Sequence, residues 1–238
     1  MIENYIFDLY GTLVDIHTDE SMPSLWQRMA LLISLQGAAY TPRELQSAYQ
    51  GAVAEQIELC KAKRPNIRKE HIEPDIIQVF KSLYVQKSIT PSDDKIDDIA
   101  LFFRMLSLKH LRLYPGVKTV LGTLRSRGKG VYLLSNAQAA FTMPELEKLG
   151  LTPCFDGMVL SSDAGVKKPD KAIFEFMLSK YDLRPETCLM IGNDLEADMG
   201  GAATVGMAGR YIHTSLLPEC RGPLPPLCRE IQDLRELL

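Results

Sequence analysis

Cysteine is scarce and unpaired: the chain has five in 238 residues, at positions 60, 154, 188, 220 and 228, with no CxxC pair. That argues against a disulfide framework or a zinc knuckle and fits reduced thiols in the cytoplasm. No stretch reaches the roughly 18 uninterrupted apolar residues of a membrane helix. The opening Met1-Ile2-Glu3-Asn4 has no basic segment running into a long apolar one, so no secretory leader is expected. A basic surplus is also missing, since 27 Lys and Arg face 30 Asp and Glu for a net −3. Neither nucleic acid nor an anionic membrane is therefore expected as a partner. There is no internal repeat. Trp26, the only tryptophan, falls among helical periodicity and is expected in a core.

What remains is an ordinary globular composition, 46% hydrophobic and 24% charged, long enough for one large domain or two modest ones. Short apolar runs bounded by turn signals recur at Tyr5-Ile6-Phe7, Val131 to Leu134, Met158 to Leu160, Cys188 to Ile191 and Tyr211-Ile212. Runs of this kind suit strands buried on both faces of a parallel sheet. Helical patterns lie between the later ones, such as Ala172, Ile173, Phe174, Phe176 and Met177. Strand alternating with helix predicts a doubly wound, Rossmann-like α/β sheet.

The gap between the first two strands is too long for a simple crossover. Residues 20–110 instead read as successive helices, with apolar spacing at Leu45 to Ile57, Ile72 to Tyr84 and Ile96 to Leu106. Thr41-Pro42-Arg43-Glu44 has the form of a capping box with proline in the first turn. The expected organisation is an α/β core over 1–15 and 112–238, interrupted by an all-helical insert over 16–111. Residues 215–228, rich in proline, are expected to form a loop leading to a short terminal helix over 231–238. Gly200 to Gly206 lacks the spacing of a dinucleotide site.

Ligands of open α/β sheets bind beyond the carboxyl ends of the strands. There the sequence places Asp8-Leu9-Tyr10-Gly11-Thr12, then Ser135-Asn136, then Lys167-Lys168-Pro169, then Gly192-Asn193-Asp194-Leu195-Glu196-Ala197-Asp198. A carboxylate, a hydroxyl, a cation and an acidic cluster would converge on one crevice. Gly11 permits a tight turn there, which could aim amide N–H groups at an anion.

In these four motifs the sequence resembles the haloacid dehalogenase superfamily, whose motifs match in order over the whole chain, with a helical cap of the C1 type after the first. The resemblance implies that Asp8 is a nucleophile forming a covalent aspartyl intermediate. Thr12 and Ser135, with Asn136 beside it, would bind the transferred group, and Lys168 would offset charge. Mg²⁺ would be held by Asp8, the backbone carbonyl of Tyr10, Asp194 and Asp198, with Glu196 a weaker candidate. A hard cation and a lysine are what a carboxylate needs to approach a phosphoryl dianion.

Two departures bear on the activity. Tyr10 stands where family phosphatases carry a second aspartate as general acid, a pattern closer to the 2-haloacid dehalogenases, which use no metal. The acidic fourth motif points the other way, and Phe174 replaces a tyrosine expected in the dehalogenase branch. The leading expectation is a Mg²⁺-dependent phosphatase acting on a small phosphorylated metabolite. The alternatives are a metal-independent 2-haloacid dehalogenase acting on a haloacid, with Arg28 or Arg43 as carboxylate binder, and a silent binding or regulatory module. Tyr10 or His17 would be the stand-in general acid.

Overall fold

The computed structural model of the protein describes residues 1–214 and 222–238. In chain order the elements begin β1 (Asn4–Phe7), β2 (Val14–Thr18), α1 (Pro23–Leu35), α2 (Pro42–Lys63), α3 (Ile76–Val85), α4 (Asp93–Ser107) and β3 (Leu108–Leu113). They continue α5 (Val117–Ser126), β4 (Gly130–Ser135), α6 (Ala139–Leu149), β5 (Gly157–Leu160), α7 (Ser161–Ala164), α8 (Lys171–Lys180) and β6 (Cys188–Gly192). A π-helical turn (Leu195–Gly200) runs into α9 (Gly201–Thr204), followed by β7 (Ala208–Ile212) and β8 (Cys228–Ile231).

Six strands form one parallel sheet in the order β5-β4-β1-β6-β7-β8. Side chains alternate across it. Phe7, Leu133 and Ile191 pack with α5 on one face, whereas Ile6, Leu134 and Met190 pack with Ile173, Phe174 and Met177 of α8 on the other. Burial on both faces explains why these strands read as continuous apolar runs. β1 lies between β4 and β6, where the chain order reverses, and that switch point opens a crevice at the carboxyl ends.

Helices α1 to α4 stand between β2 and β3 in the chain and bury their own aromatic core. Phe103 is its centre, with ring centroids 5.1 Å from Tyr49, 5.4 Å from Phe80 and 5.7 Å from Trp26. Phe141 of α6 joins from the sheet side at 6.4 Å, so this core is continuous with the α/β body. Helix α2 starts where expected. Thr41 Oγ1 accepts from the Glu44 amide, and the Glu44 carboxylate accepts from the Thr41 amide.

The structure corrects three expectations. β2 and β3 form an antiparallel two-stranded sheet at the insert's two ends, where the sequence suggested only helix and linker. Their runs, VDIHT and LKHLRL, are short and half-polar, and the helical spacing of α4 leads straight into β3. Ile72 precedes α3 rather than belonging to it, and bridges to Val166. Residues 228–231 pair with β7 as a sixth strand, leaving only a 3₁₀ turn (Leu234–Leu237) of the expected terminal helix. An open sheet edge overrode local propensity there. Of the loop expected over 215–228, residues 215–221 lie outside the described residues. No described helix is long and apolar enough to cross a membrane.

Candidate active site

The loop after β1 turns sharply because Gly11 adopts φ +86°, where a Cβ would run into the side chain of Asn193. The turn holds Asp8 at the switch point, 7% exposed. Ser135 Oγ, at the end of β4, donates to Asp8 Oδ1 over 3.0 Å, and Lys168 Nζ donates to the same oxygen over 2.8 Å. Asp8 Oδ2 receives only a longer bond, 3.3 Å from Thr12 Oγ1. One oxygen is pinned and the other is freer.

Lys168 is almost fully buried, and its ammonium is saturated. It donates to Asp8, to the Leu134 carbonyl at 2.9 Å and to Asp198 Oδ1 at 2.6 Å. Burial opposes its charge, but the Asp198 and Asp8 carboxylates more than offset that and raise its pKa. Asn136 fixes the loop bearing the lysine, giving its Nδ2 hydrogen to the Lys168 carbonyl and accepting from the Lys168 amide at 2.7 Å. Burial, helped by the neighbouring Asp8, pushes the Asp198 carboxyl up, against the pull of Lys168. Asp198 Oδ2 accepts from the Asp194 amide, and Gly192 is obligatory opposite it because a Cβ would collide with the carboxylate.

Asp8, Tyr10, Ser135, Asn136, Lys168, Asp194 and Asp198 thus line one cleft of about 170 Å³ with Asn193 and Ala197. Thr12 supports it from beside Asp8. Glu196 is exposed and outside it. Asp194 lines the cleft while its Oδ1 caps the π-helical turn, accepting from the amides of Glu196 and Ala197. Asn193 is 4% exposed and joins the Thr12 hydroxyl to Thr214. Its place directly after β6 was the available signal for it.

Tyr10 sends its side chain away from the carboxylate pair. Its hydroxyl donates to Glu145 Oε2 at 2.5 Å, and Arg104 of α4 grips Glu145 Oε1 at 2.6 Å. Burial and then the Glu145 carboxylate push the Tyr10 phenol well above its usual range. His17 is exposed on β2 and stacks on His110, away from the cleft. Arg28 and Arg43 are exposed and line neither the cleft nor the neighbouring cavity that contains Arg104. No sequence signal links Arg104 to Glu145, which lie 41 residues apart.

The donor set is hard and oxygen-rich, with two buried carboxylates sharing one ammonium. Among the described residues no three His, Cys, Asp or Glu side chains form a closed metal cage.

A parallel α/β sheet with a buried aspartate at its switch point and helices inserted after the first strand is the architecture of a haloacid dehalogenase-like hydrolase. The chain belongs to that family: the model for haloacid dehalogenase-like hydrolase matches residues 2–206. It is 34% identical over 100 residues to ribulose-1,5-bisphosphate 5-phosphatase of Halopiger xanaduensis, covering 42% of each chain. It is 30% identical over 136 residues to phosphoserine phosphatase of Thermus thermophilus, covering 57% of this chain and 53% of that one. The chain thus spans about half the length of these curated relatives. Its fold is that of a 2-haloacid dehalogenase from Pseudomonas syringae pv. Tomato, with TM-score 0.66 and 19% identity over 100% of this chain and 96% of that one.

Proposed function

We propose that the protein is a Mg²⁺-dependent phosphatase of small phosphorylated metabolites, working through an aspartyl phosphate on Asp8. The observation that carries this reading is the buried Asp8–Lys168–Asp198 cluster, in which two carboxylates share one cation. Such a surplus is costly without a further positive charge. Of the four ligands the resemblance implies, Asp8, the Tyr10 carbonyl and Asp194 would hold the ion; Asp198, whose two oxygens are taken by Lys168 and the Asp194 amide, would fix them instead. Bound there, Mg²⁺ would reduce the repulsion between nucleophile and substrate phosphate.

Asp8 attacks phosphorus and the bond to the leaving oxygen breaks, leaving the phosphoryl group on the aspartate. Ser135 and Thr12 orient the carboxylate, and Lys168 lowers its repulsion toward the dianion. Water then attacks phosphorus, releasing phosphate and restoring Asp8. Residues 16–111 act as the cap over this core of 1–15 and 112–238.

Neither stand-in acid is well placed to protonate the leaving oxygen, since Tyr10 is committed to Glu145 and His17 lies outside the cleft. Acyl and aryl phosphates should therefore be turned over faster than alkyl phosphates of similar size. The test is phosphate release from acetyl phosphate, an aryl phosphate and a sugar phosphate, with Mg²⁺ and with EDTA. Equal turnover of acetyl and sugar phosphates would refute the leaving-group argument. Chloride release from 2-chloropropionate that ignores EDTA would refute the phosphatase reading in favour of a dehalogenase.

A further inference from the structure

Beside the phosphoryl cleft lies a second cavity of about 280 Å³, and Tyr10 and Asn136 line both. It is the space into which the rest of a substrate held at Asp8 would extend. The helical insert and the α/β body build it together, through Thr18, Glu73 and Arg104 from one side and Gln138, Phe141 and Thr142 from the other. Its polar groups have one notable property: its only cation among the described residues is already spent.

Arg104 donates to both oxygens of Glu145, at 2.6 and 3.5 Å, and its guanidinium lies over the rings of Phe141 at 5.4 Å and Tyr10 at 5.7 Å. Swinging it toward an incoming anion would leave Glu145, 8% exposed at its side chain, with no cation. The cavity's acid is Glu73. It accepts from Ser161 Oγ at 2.5 Å and from Gln138 Nε2, two neutral partners. A carboxylate or second phosphate entering here would find no free positive charge among the described residues, and Glu73, bonded to neutral donors, offers it none. Neutral hydroxyl and carbonyl groups would still find Gln138, Thr142, Thr18 and the unused N–H groups of Arg104.

Resting on the phosphatase reading, we infer that this cavity receives an uncharged, hydroxyl- or carbonyl-bearing leaving group and rejects one that carries its own anionic group. The specificity follows from the pairing of Arg104 with Glu145, which makes Glu145 a specificity-determining residue that acts through Arg104.

A matched pair of substrates tests it: glyceraldehyde 3-phosphate against 3-phosphoglycerate, which share the carbon skeleton and the esterified position and differ in aldehyde against carboxylate. The expected wild-type result is a kcat/KM higher for the aldehyde by roughly tenfold or more. Glu145→Gln, which frees the Arg104 charge, should shift that ratio by about tenfold toward the carboxylate, mainly through KM. A wild-type preference for 3-phosphoglycerate overturns the inference whether or not the variant folds, and so does a ratio unmoved in a folded Glu145→Gln. Acetyl phosphate is the separate control. If Mg²⁺-dependent turnover is absent there too, the phosphatase reading itself is overturned and the inference falls with it.

Discussion

Asp8 and Tyr10, two residues apart on one loop, reach into two buried clusters of carboxylate and cation that differ in their charge count. The Asp8 cluster holds two carboxylates around one ammonium, Lys168. The Tyr10 cluster holds one carboxylate, Glu145, against one guanidinium, Arg104, with the phenol adding a neutral hydrogen bond. The second cluster is the more open, with the Arg104 side chain 14% exposed against 2% for Lys168, but the larger difference is in charge count. An unbalanced cluster stores unfavourable energy that a bound cation or the transferred group can release, which is the condition of a reaction centre. A balanced cluster is already satisfied and works as a joint between the insert and the α/β body. On the proposed function, the loop from β1 serves chemistry at Asp8 and domain docking at Tyr10 within three residues.

Substitutions should separate the two clusters by which quantity moves. Asp8→Asn should lower phosphate release by more than about 1000-fold, since the nucleophile cannot be replaced. The same change removes one of the competing carboxylates, so its urea midpoint should equal or exceed that of the wild type. A marked loss of stability would mean that the Asp8 cluster is a structural ion network, and the contrast would collapse. Arg104→Ala should do the reverse. It strands Glu145 in the interior and should cost about 3 kcal/mol or more of folding stability. Arg104→Met combined with Glu145→Leu should recover most of that, because a well-packed apolar pair can replace a buried ion pair. Additive losses in that double variant would show that the two residues do not act as a unit.

The two clusters also differ in how far the sequence reveals them. Asp8, Ser135 and Lys168 follow apolar strands or their loops, and a parallel sheet gathers strand ends by its topology. Position in the chain was thus enough to bring them together on paper. The fourth motif was harder. Three acidic residues fall within Asp194 to Asp198, and a π-helical turn decides which faces inward. The wider turn brings Asp198 under Lys168, leaves Glu196 outside and uses Asp194 as its cap, while Asn193 occupies the strand end. Arg104 and Glu145 were illegible for a different reason. Each sits on a helix whose periodicity reports only which side is apolar, and their meeting depends on how the insert docks. β2 and β3 were hidden because a short, half-exposed strand pair carries little apolar signal, whereas β6, buried at every residue, was plain.

Glu73 extends the contrast as a fourth buried carboxylate, with no cation bonded to it among the described residues. Burial raises its pKa; its hydrogen bonds from Ser161 and Gln138 and the nearby Lys167 only partly counter that. Arg104, the cation on its cavity, is occupied by Glu145. Below the unfolded value near 4.5 both states carry the proton, and Glu73 makes stability no more pH-dependent than a glutamine would. As pH rises through that value the unfolded chain releases its proton while the folded protein keeps it. The wild type must then lose stability relative to Glu73→Gln, by at most about 1.4 kcal/mol per pH unit for one proton. Above the raised folded value the difference levels off. Urea midpoints of the two proteins between pH 4 and 8 should therefore diverge, with the glutamine variant gaining. If the difference stays flat, or if the wild type gains with rising pH, Glu73 is charged in the folded protein. Lys167 would then be its working counter-ion, and the junction would hold two balanced pairs instead of one balanced pair and one proton-bearing acid.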